Sequence, residues 1–291
     1  MNGQMIGIIA GTGLGDVLSE QMTDVQSFDV ETPFGRPSAE IVTGNLAGRA
    51  VAFLNRHGNG HKLPPSKVPY AANIFALKKL GVRSVIASCA TGSLTENFTP
   101  GDLIIVDQFI DKTFRRQNSF FDDYGAVHCE LAQPVCGRLS DIIAAAADGI
   151  DVTTHYGGTY VCMEGPQFST RAESLMHKQW GGELIGMTAM PEAKLAREAQ
   201  LCYSLIALVS DYDCWKPRKK TSEKQTLLKE IIANLQLATD NCIKLIKAVL
   251  ATDAEIISPG CPCRKSLELA VLTNPAQIDS AHKKELSILF E

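Results

Sequence analysis

The period of the apolar positions changes repeatedly along the chain, and the changes mark out its elements. Met5–Ala10 is an apolar run that ends in Gly11-Thr12-Gly13-Leu14-Gly15, which predicts a strand entering a turn, with a helix following over 15–22. Residues 39–43 and 50–56 read as paired strands that turn at Gly44-Asn45, and 57–69 is too rich in Gly and Pro to be regular. Helical spacing over 70–80 stops at Gly81. Residues 82–87 and 101–109 read as strands, and the polar and aromatic segment 111–128 reads as a surface loop. A helix is predicted over 138–148 and a strand over 159–163, broken by Glu164-Gly165-Pro166. Further on come a helix over 171–180, a strand over 184–187, a helix over 191–199 and a buried strand over 201–209. A basic loop (216–225) leads to a long amphipathic helix (227–250), and the tail from about 251 is less regular. Strands alternating with helices predict an α/β sheet covered on both faces. No linker or repeat divides residues 1–291, which predicts one domain.

Composition narrows the function without naming it. The 291 residues are 45% hydrophobic and 21% charged, with a net charge of −4. That balance gives no reason to expect a nucleic-acid or membrane partner. The first residues lack the basic flank and long apolar core of a targeting segment, so a cytoplasmic protein is expected. Nine cysteines, an odd number scattered through apolar segments, read as free thiols in a reducing compartment. Cys261-Pro-Cys263 is the only close pair; it is one residue tighter than CxxC and has no neighbouring His, so no metal is expected.

Candidate chemistry gathers at the ends of strands, where ligands of open α/β sheets sit. Backbone N–H groups of the turn at 11–15 suit an anion, with the Thr12 hydroxyl as a further donor. A dinucleotide fingerprint would require Gly at position 16, where Asp stands, which weakens a nicotinamide-dependent reading. Arg56-His57 at a strand end offers a second anion contact, beside His61 and Lys62. Small residues in Ser88-Cys89-Ala90-Thr91-Gly92-Ser93, read as another strand-end turn, allow a ligand to approach the backbone. Phe168, after Gly165-Pro166, can stack on a flat ring, and Met187-Thr188 follows a short strand. In Ser210-Asp211-Tyr212-Asp213, strand alternation would place both carboxylates on one face. Carboxylates that close raise each other's proton affinity, which suits a group that handles a proton.

The segments GIIAGTGL, RHGNGHKLPPSKVPYAANIFALKKLGV, ATGSL, PGDLIIVDQFID, EGPQFSTRAES, MTAMPEAKLAREA and SDYDCWK occur in this order across roughly residues 5–250. Together they resemble the trimeric purine nucleoside phosphorylases, most closely the 5′-methylthioadenosine phosphorylase branch. The resemblance implies a single-domain mixed β-sheet flanked by helices, a homotrimer, inorganic phosphate as co-substrate, and no metal or organic cofactor. It implies attack of phosphate on the anomeric carbon, releasing adenine and 5-methylthioribose 1-phosphate. By position, Thr12, Arg56, His57, Cys89, Ala90 and Thr188 are expected around phosphate. Phe168 and Met187 are expected along the ribose and base, and Ser169, Asp211 and Asp213 at the purine. His128 is expected to reach a neighbouring subunit's site, and Leu227 and Leu228 to flank the methylthio tail. Departing adenine needs a proton or strong hydrogen bond at N7, which a carboxyl supplies only if it holds a proton near neutral pH. Asp211 is expected to be that acid, with Asp213 in support.

The 6-oxopurine branch, acting on inosine, guanosine or methylthioinosine, is the alternative within the same fold. It usually carries Asn where Asp211 stands, and a carboxylate there favours a 6-amino group that donates to it. Cys89 replaces a small hydroxyl or amide residue of the family, and a thiol is a weaker donor for phosphate; a binding protein without catalysis is the reading this departure would favour. Lys224 stands where relatives often place an apolar residue, near the expected tail pocket, and 216–224 reads as a lid. No disulfide is expected within Cys261-Pro-Cys263, because so short a loop would strain it.

Overall fold

The computed structural model describes residues 4–11, 14, 17, 20–217 and 224–291, with Lys224 described by its backbone alone. Thr12, half of the helix expected over 15–22, the Lys224 side chain and most of the expected lid lie outside the described residues. Strand β1 (Met5–Ala10) is buried at every position. It runs parallel to β4 (Arg49–Asn55) on one side and to β5 (Val82–Ser93) on the other. Beyond β4 lie β3 (Ile41–Leu46) and then β2 (Thr23–Phe28), both joined in antiparallel register. The sheet forks at β5. Its middle pairs in parallel with β11 (Cys202–Asp211), which leads to β6 (Leu103–Val106) and β8 (Thr154–Tyr156). Its end pairs with β10 (Leu184–Gly186), which leads to β9 (Thr159–Cys162) and β7 (Gln108–Asp111). The eleven strands form one mixed sheet.

Six α-helices accompany the sheet among the described residues: α1 (Tyr70–Lys79), α2 (Gly137–Ala147), α3 (Arg171–Gln179), α4 (Glu192–Glu198), α5 (Lys224–Ala251) and α6 (Ser280–Glu285). The period of two along each strand sends alternate side chains to opposite faces. Ile9 and Leu205 join the core made with Ile74, Phe75 and Leu195 of α1 and α4. Their neighbours Ile8 and Ile206 join the core made with Leu139, Ile143 and Leu245 of α2 and α5. Because both faces are dry, these strands read as unbroken apolar runs. Helix α3 starts at a capping box: the Thr170 hydroxyl accepts from the Glu173 N–H, and the Glu173 carboxylate accepts from the Thr170 N–H.

Four expectations change. The strand predicted over 82–87 continues to Ser93, so Ser88–Ser93 is strand backbone paired with β11 and β10 rather than a turn. The strand over 101–109 is two strands, interrupted at Asp107, whose carboxylate accepts from the Gly158 N–H. The segment 111–128 is not merely a surface loop. Phe120 and Phe121 are buried, Phe120 within a ring cluster with Phe34 and Phe75. The polar edge strand β2 and the short β8 were not predicted, since neither carries an apolar pattern. The tail, as expected, consists of short turns and helix α6, but Leu267, Ala270, Leu286 and Leu289 pack into the first core.

Candidate active site

Arg56 follows the last residue of β4 and is fully buried. Its Nε and Nη2 donate to the two carboxylate oxygens of Glu192 at 2.7 and 2.8 Å, and its Nη1 donates to the Ser88 carbonyl at 2.7 Å. Burial lowers the proton affinity of such a group, but the charge and hydrogen bonds of Glu192 prevail and hold Arg56 above the ordinary arginine range. Glu192, at the start of α4, also accepts from the Tyr203 hydroxyl at 2.9 Å. Among the described residues three of the five guanidinium N–H bonds are thus engaged. The Gly11 N–H donates to the Ser88 hydroxyl at 3.3 Å, which ties the end of β1 to the same corner.

His57 completes this corner. Its Nδ1 lies 2.8 Å from the Leu63 carbonyl, which can only accept, so Nδ1 carries the proton. The ring stacks on His61 at 4.2 Å. Burial pushes the His57 pKa down to about 4, with Arg56 and His61 adding to the effect, so the ring is neutral at physiological pH. Cys89 turns its thiol into the core, 3.9 Å from the Tyr160 hydroxyl. Burial pushes that thiol up to about 11, while Arg56 and Thr188 are close enough to pull the other way. Tyr160 ties Cys89 to Thr188, its hydroxyl also accepting from the Thr188 N–H at 3.4 Å, while Arg56 holds the carbonyl of Ser88 just before Cys89. Ala90, the next residue of β5, is half-buried.

The carboxylate pair lies further along β5. Strand β11 ends at Asp211, paired with Gly92, and Asp213 takes a left-handed conformation with φ 48°. The pair is therefore not two side chains of one strand face. Asp211 accepts from the Asp213 N–H at 2.7 Å and from the Ser210 hydroxyl at 2.8 Å, a side-chain-closed turn that the strand period could not foretell. Burial raises the proton affinity of Asp213; Ser174, Cys214 and Ser169 oppose this through hydrogen bonds, and Asp211 adds to it by its charge. Gly92 makes room for the turn, since a Cβ there would stand 3.2 Å from Asp213 Cβ. From Ser88 to Gly92 is four residues, roughly 13 Å of strand, so β5 connects the Arg56 corner with the Asp pair.

A third wall comes from the Glu164-Gly165-Pro166 loop. Gly165 has φ 67°, and a Cβ there would press on Met187 Sδ, so the loop and the half-buried Met187 are fitted to each other. Arg116 is the strut behind both. Its guanidinium donates to the Glu164 carboxylate and to the carbonyls of Glu164, Met187 and Met190. Glu164 also accepts from the Phe114 and Arg115 N–H groups, and against its burial these bonds hold it below the usual carboxylate range. Ser169 is half-buried; its hydroxyl reaches Met163 Sδ, and its carbonyl accepts from the Cys214 thiol. Phe168 beside it is 84% exposed within the single chain.

Three expected residues stand apart. His128 is exposed and lines a separate cavity of about 470 Å³ with Ser119, Lys194, Arg197 and Glu198. Leu227 is half-buried and Leu228 is 58% exposed, both in the first turn of α5. That helix is tied to the Asp pair by Asn234, whose amide donates to the Ser210 carbonyl at 3.1 Å. Sequence reasoning placed Ser88 and Glu164 in candidate segments without giving either a role, and it did not single out Glu192, Tyr160 or Arg116. Of these three, only Glu192, beside Pro191 at a predicted helix start, carried any signal.

This arrangement, a buried arginine corner and a carboxylate pair joined by one strand, occurs in a chain whose residues 5–251 match a sequence model described as the phosphorylase superfamily. The chain belongs to the phosphorylase superfamily. Within it, the chain is 48% identical over 278 residues to S-methyl-5′-thioadenosine phosphorylase of Cereibacter sphaeroides, covering 94% of this chain and 93% of that protein. It is 46% identical over 287 residues to the protein of the same name in Geobacter sulfurreducens, with 98% of each chain covered. Its fold superposes with a TM-score of 0.90 on a methylthioadenosine phosphorylase from an Antarctic soil metagenomic library, at 43% identity over 100% of both chains. A substituted adenosine/methylthioadenosine phosphorylase of Schistosoma mansoni, solved in complex with methylthioadenosine, superposes with a TM-score of 0.77 at 36% identity, covering 86% of this chain and 91% of that one. The phosphorylase fold implied by the sequence motifs is the fold found. Among the described residues no helix is long and apolar enough to cross a membrane.

Proposed function

We propose that this phosphorylase-superfamily chain is an enzyme that splits 5′-methylthioadenosine with inorganic phosphate into adenine and 5-methylthioribose 1-phosphate. The observation that carries the proposal is the pairing of a buried, charge-fixed Arg56 with the Asp211–Asp213 turn further along β5. Phosphate binds at the Arg56 guanidinium, beside neutral His57 and Thr188, with Thr12 as a further donor by its resemblance to the family. Cys89 and Ala90 shape this wall rather than donate strongly to it, since the thiol is turned into the core. As the bond between sugar and base breaks, the ribose gains oxocarbenium character and the phosphate anion stabilises it. The electron pair of that bond goes to the purine, and a phosphate oxygen forms the new bond to the anomeric carbon. The reaction exchanges one bond for another and requires no electron acceptor.

The purine is met by Asp211, Asp213 and Ser169, with Phe168 and Met187 along the ring and ribose. The Asp211–Asp213 turn supplies the proton or strong hydrogen bond that N7 needs as the base leaves. Asp211 is the contact to N7, and the buried Asp213 is the member with raised proton affinity that keeps the proton in the site. The remaining carboxylate oxygens accept from a 6-amino group, whereas a 6-oxo group would face acceptors. Leu227 and Leu228 flank the methylthio tail. His128, which stands apart from the site of its own chain, completes the site of a neighbouring subunit in a homotrimer. Such an enzyme serves purine and methionine salvage in the cytoplasm.

The test is release of free base from methylthioadenosine, adenosine and inosine, each with and without phosphate. Phosphate-dependent adenine release, fastest from methylthioadenosine, is expected. Preferential hypoxanthine release would overturn the 6-amino assignment, and no release by folded protein would overturn catalysis.

A further inference from the structure

The nine cysteines are free thiols, and four of them, from three separate stretches of the sequence, come together. Cys136 precedes α2, Cys202 opens β11, and Cys261 and Cys263 flank Pro262 just beyond α5. All four are buried, and their sulfur atoms lie within 4.8 Å of one another, with Cys136 Sγ and Cys261 Sγ 3.6 Å apart. Four sulfurs around a zinc ion at about 2.3 Å form a tetrahedron with edges of about 3.8 Å. The Cys261-Pro-Cys263 pair taken alone gave no reason to expect a metal; folding supplies the two missing ligands.

The groups around the sulfurs point the same way. Arg197 Nη1 lies 3.7 Å from Cys263 Sγ, and Arg138 Nη2 lies 3.9 Å from Cys202 Sγ. Arg138 Nε and Arg264 Nη2 are buried without a hydrogen-bond partner among the described residues. A neutral thiol is a weak acceptor for a buried guanidinium. Four thiolates on one divalent cation carry a net charge of −2, which matches two guanidinium groups aimed at the sulfurs and is how outer contacts hold metal-bound thiolates. We infer that Cys136, Cys202, Cys261 and Cys263 form a structural four-thiolate site for a thiophilic divalent cation, zinc in the first place. Binding releases the four thiol protons and closes the coordination sphere, leaving no open position for catalysis. Its role is to clamp the tail to the sheet. Cys261 and Cys263 begin the segment whose Ala270 carbonyl accepts from the His128 N–H and whose Leu289 reaches the core.

The test uses full-length protein expressed with zinc and purified anaerobically with reductant and no chelator. Elemental analysis should give about one zinc per chain. After stripping, titration with cobalt(II) should give the absorption of a tetrahedral cobalt ion with four thiolates. Zinc should protect these four cysteines, and not Cys129, from alkylation as read by peptide mass mapping. The double variant Cys261→Ser with Cys263→Ser should bind at least 100-fold more weakly, while Cys129→Ser binds as wild type. If the double variant does not fold, stoichiometry, spectrum and protection in the wild type still decide. Reduced wild-type protein that takes up neither metal overturns the inference. So does cobalt bound with other ligands, or a pair of disulfides that forms in the cluster and leaves no metal uptake after reduction.

Discussion

Glu192→Gln removes one charge and almost no volume from the most buried ion pair of the site. In the wild type Arg56 is 0% and Glu192 1% exposed, and three hydrogen bonds of 2.7–2.9 Å converge on the carboxylate. Glutamine keeps one acceptor oxygen but turns an NH₂ group toward a guanidinium N–H, leaving Arg56 charged in a dry interior. Breaking a buried pair costs about 3–5 kcal/mol, and the retained acceptor places this variant near the lower figure. For a chain of this size that is a melting temperature lower by about 6–12 °C. Phosphate makes the experiment specific. At about 100 times its dissociation constant a ligand adds about 2.7 kcal/mol to the stability of any site that binds it. In Glu192→Gln the phosphate anion also supplies the counter-charge that Arg56 has lost, so its stabilising effect should exceed that in the wild type. Thermal denaturation of both proteins in phosphate, and in chloride at equal ionic strength, measures this. A melting temperature within 2 °C of wild type would show that the pair contributes little. A phosphate effect no larger than that of chloride in either protein would show that Arg56 does not face phosphate, and would refute the anion corner.

Three further substitutions probe the carboxylate pair and a buried lysine. Asp211→Asn and Asp213→Asn should each lower kcat/KM for methylthioadenosine by about 10²–10⁴-fold and abolish the loss of activity as pH rises through the pKa of the acid. Pairs of wild-type and variant pH profiles of the same shape would remove the proton from this pair, and an effect confined to Asp213 would make it the N7 contact. Lys78 in α1 is buried with no partner for its ammonium among the described residues, and burial together with Arg83 and Arg264 lowers its pKa to about 7. The unfolded chain therefore binds the extra proton between pH 7 and 10.5, and wild-type stability should rise with pH in that window, by up to about 5 kcal/mol. Lys78→Met should flatten the rise and stabilise the protein at pH 7, as read by urea denaturation at both ends of the window; equal slopes for the two proteins would place the amine in water.

The candidate site was legible where chemistry resides in residue type at a strand end. Arg56-His57 and Asp211-x-Asp213 follow apolar runs, and a charged group directly after a buried strand has few places to go other than the carboxyl edge of the sheet. The partners of these groups were not legible. Glu192 lies 136 residues from Arg56, and Arg116 lies 71 residues from the Met187 carbonyl it holds. No local period encodes a hydrogen bond across such a distance, and nothing local in the polar segment 111–128 marks Arg116 as the side chain that meets buried acceptors.

What the chain determined by itself are its periods: which runs are strands, which are helices, and where Gly and Pro must break them. Those follow from local sterics and from the pattern of apolar side chains, and they carried the α/β class and most element bounds. Only the tertiary structure decided that β5 runs on through Ser88–Ser93 and forks the sheet, because strand length there is set by pairing with β11 and β10. It also turned the Asp pair from a strand face into a side-chain-closed turn, and it gathered Cys136 and Cys202 onto Cys261-Pro-Cys263. Each is a matter of long-range contact, where burial fixes the charge and proton state of a group that its neighbours in sequence leave open.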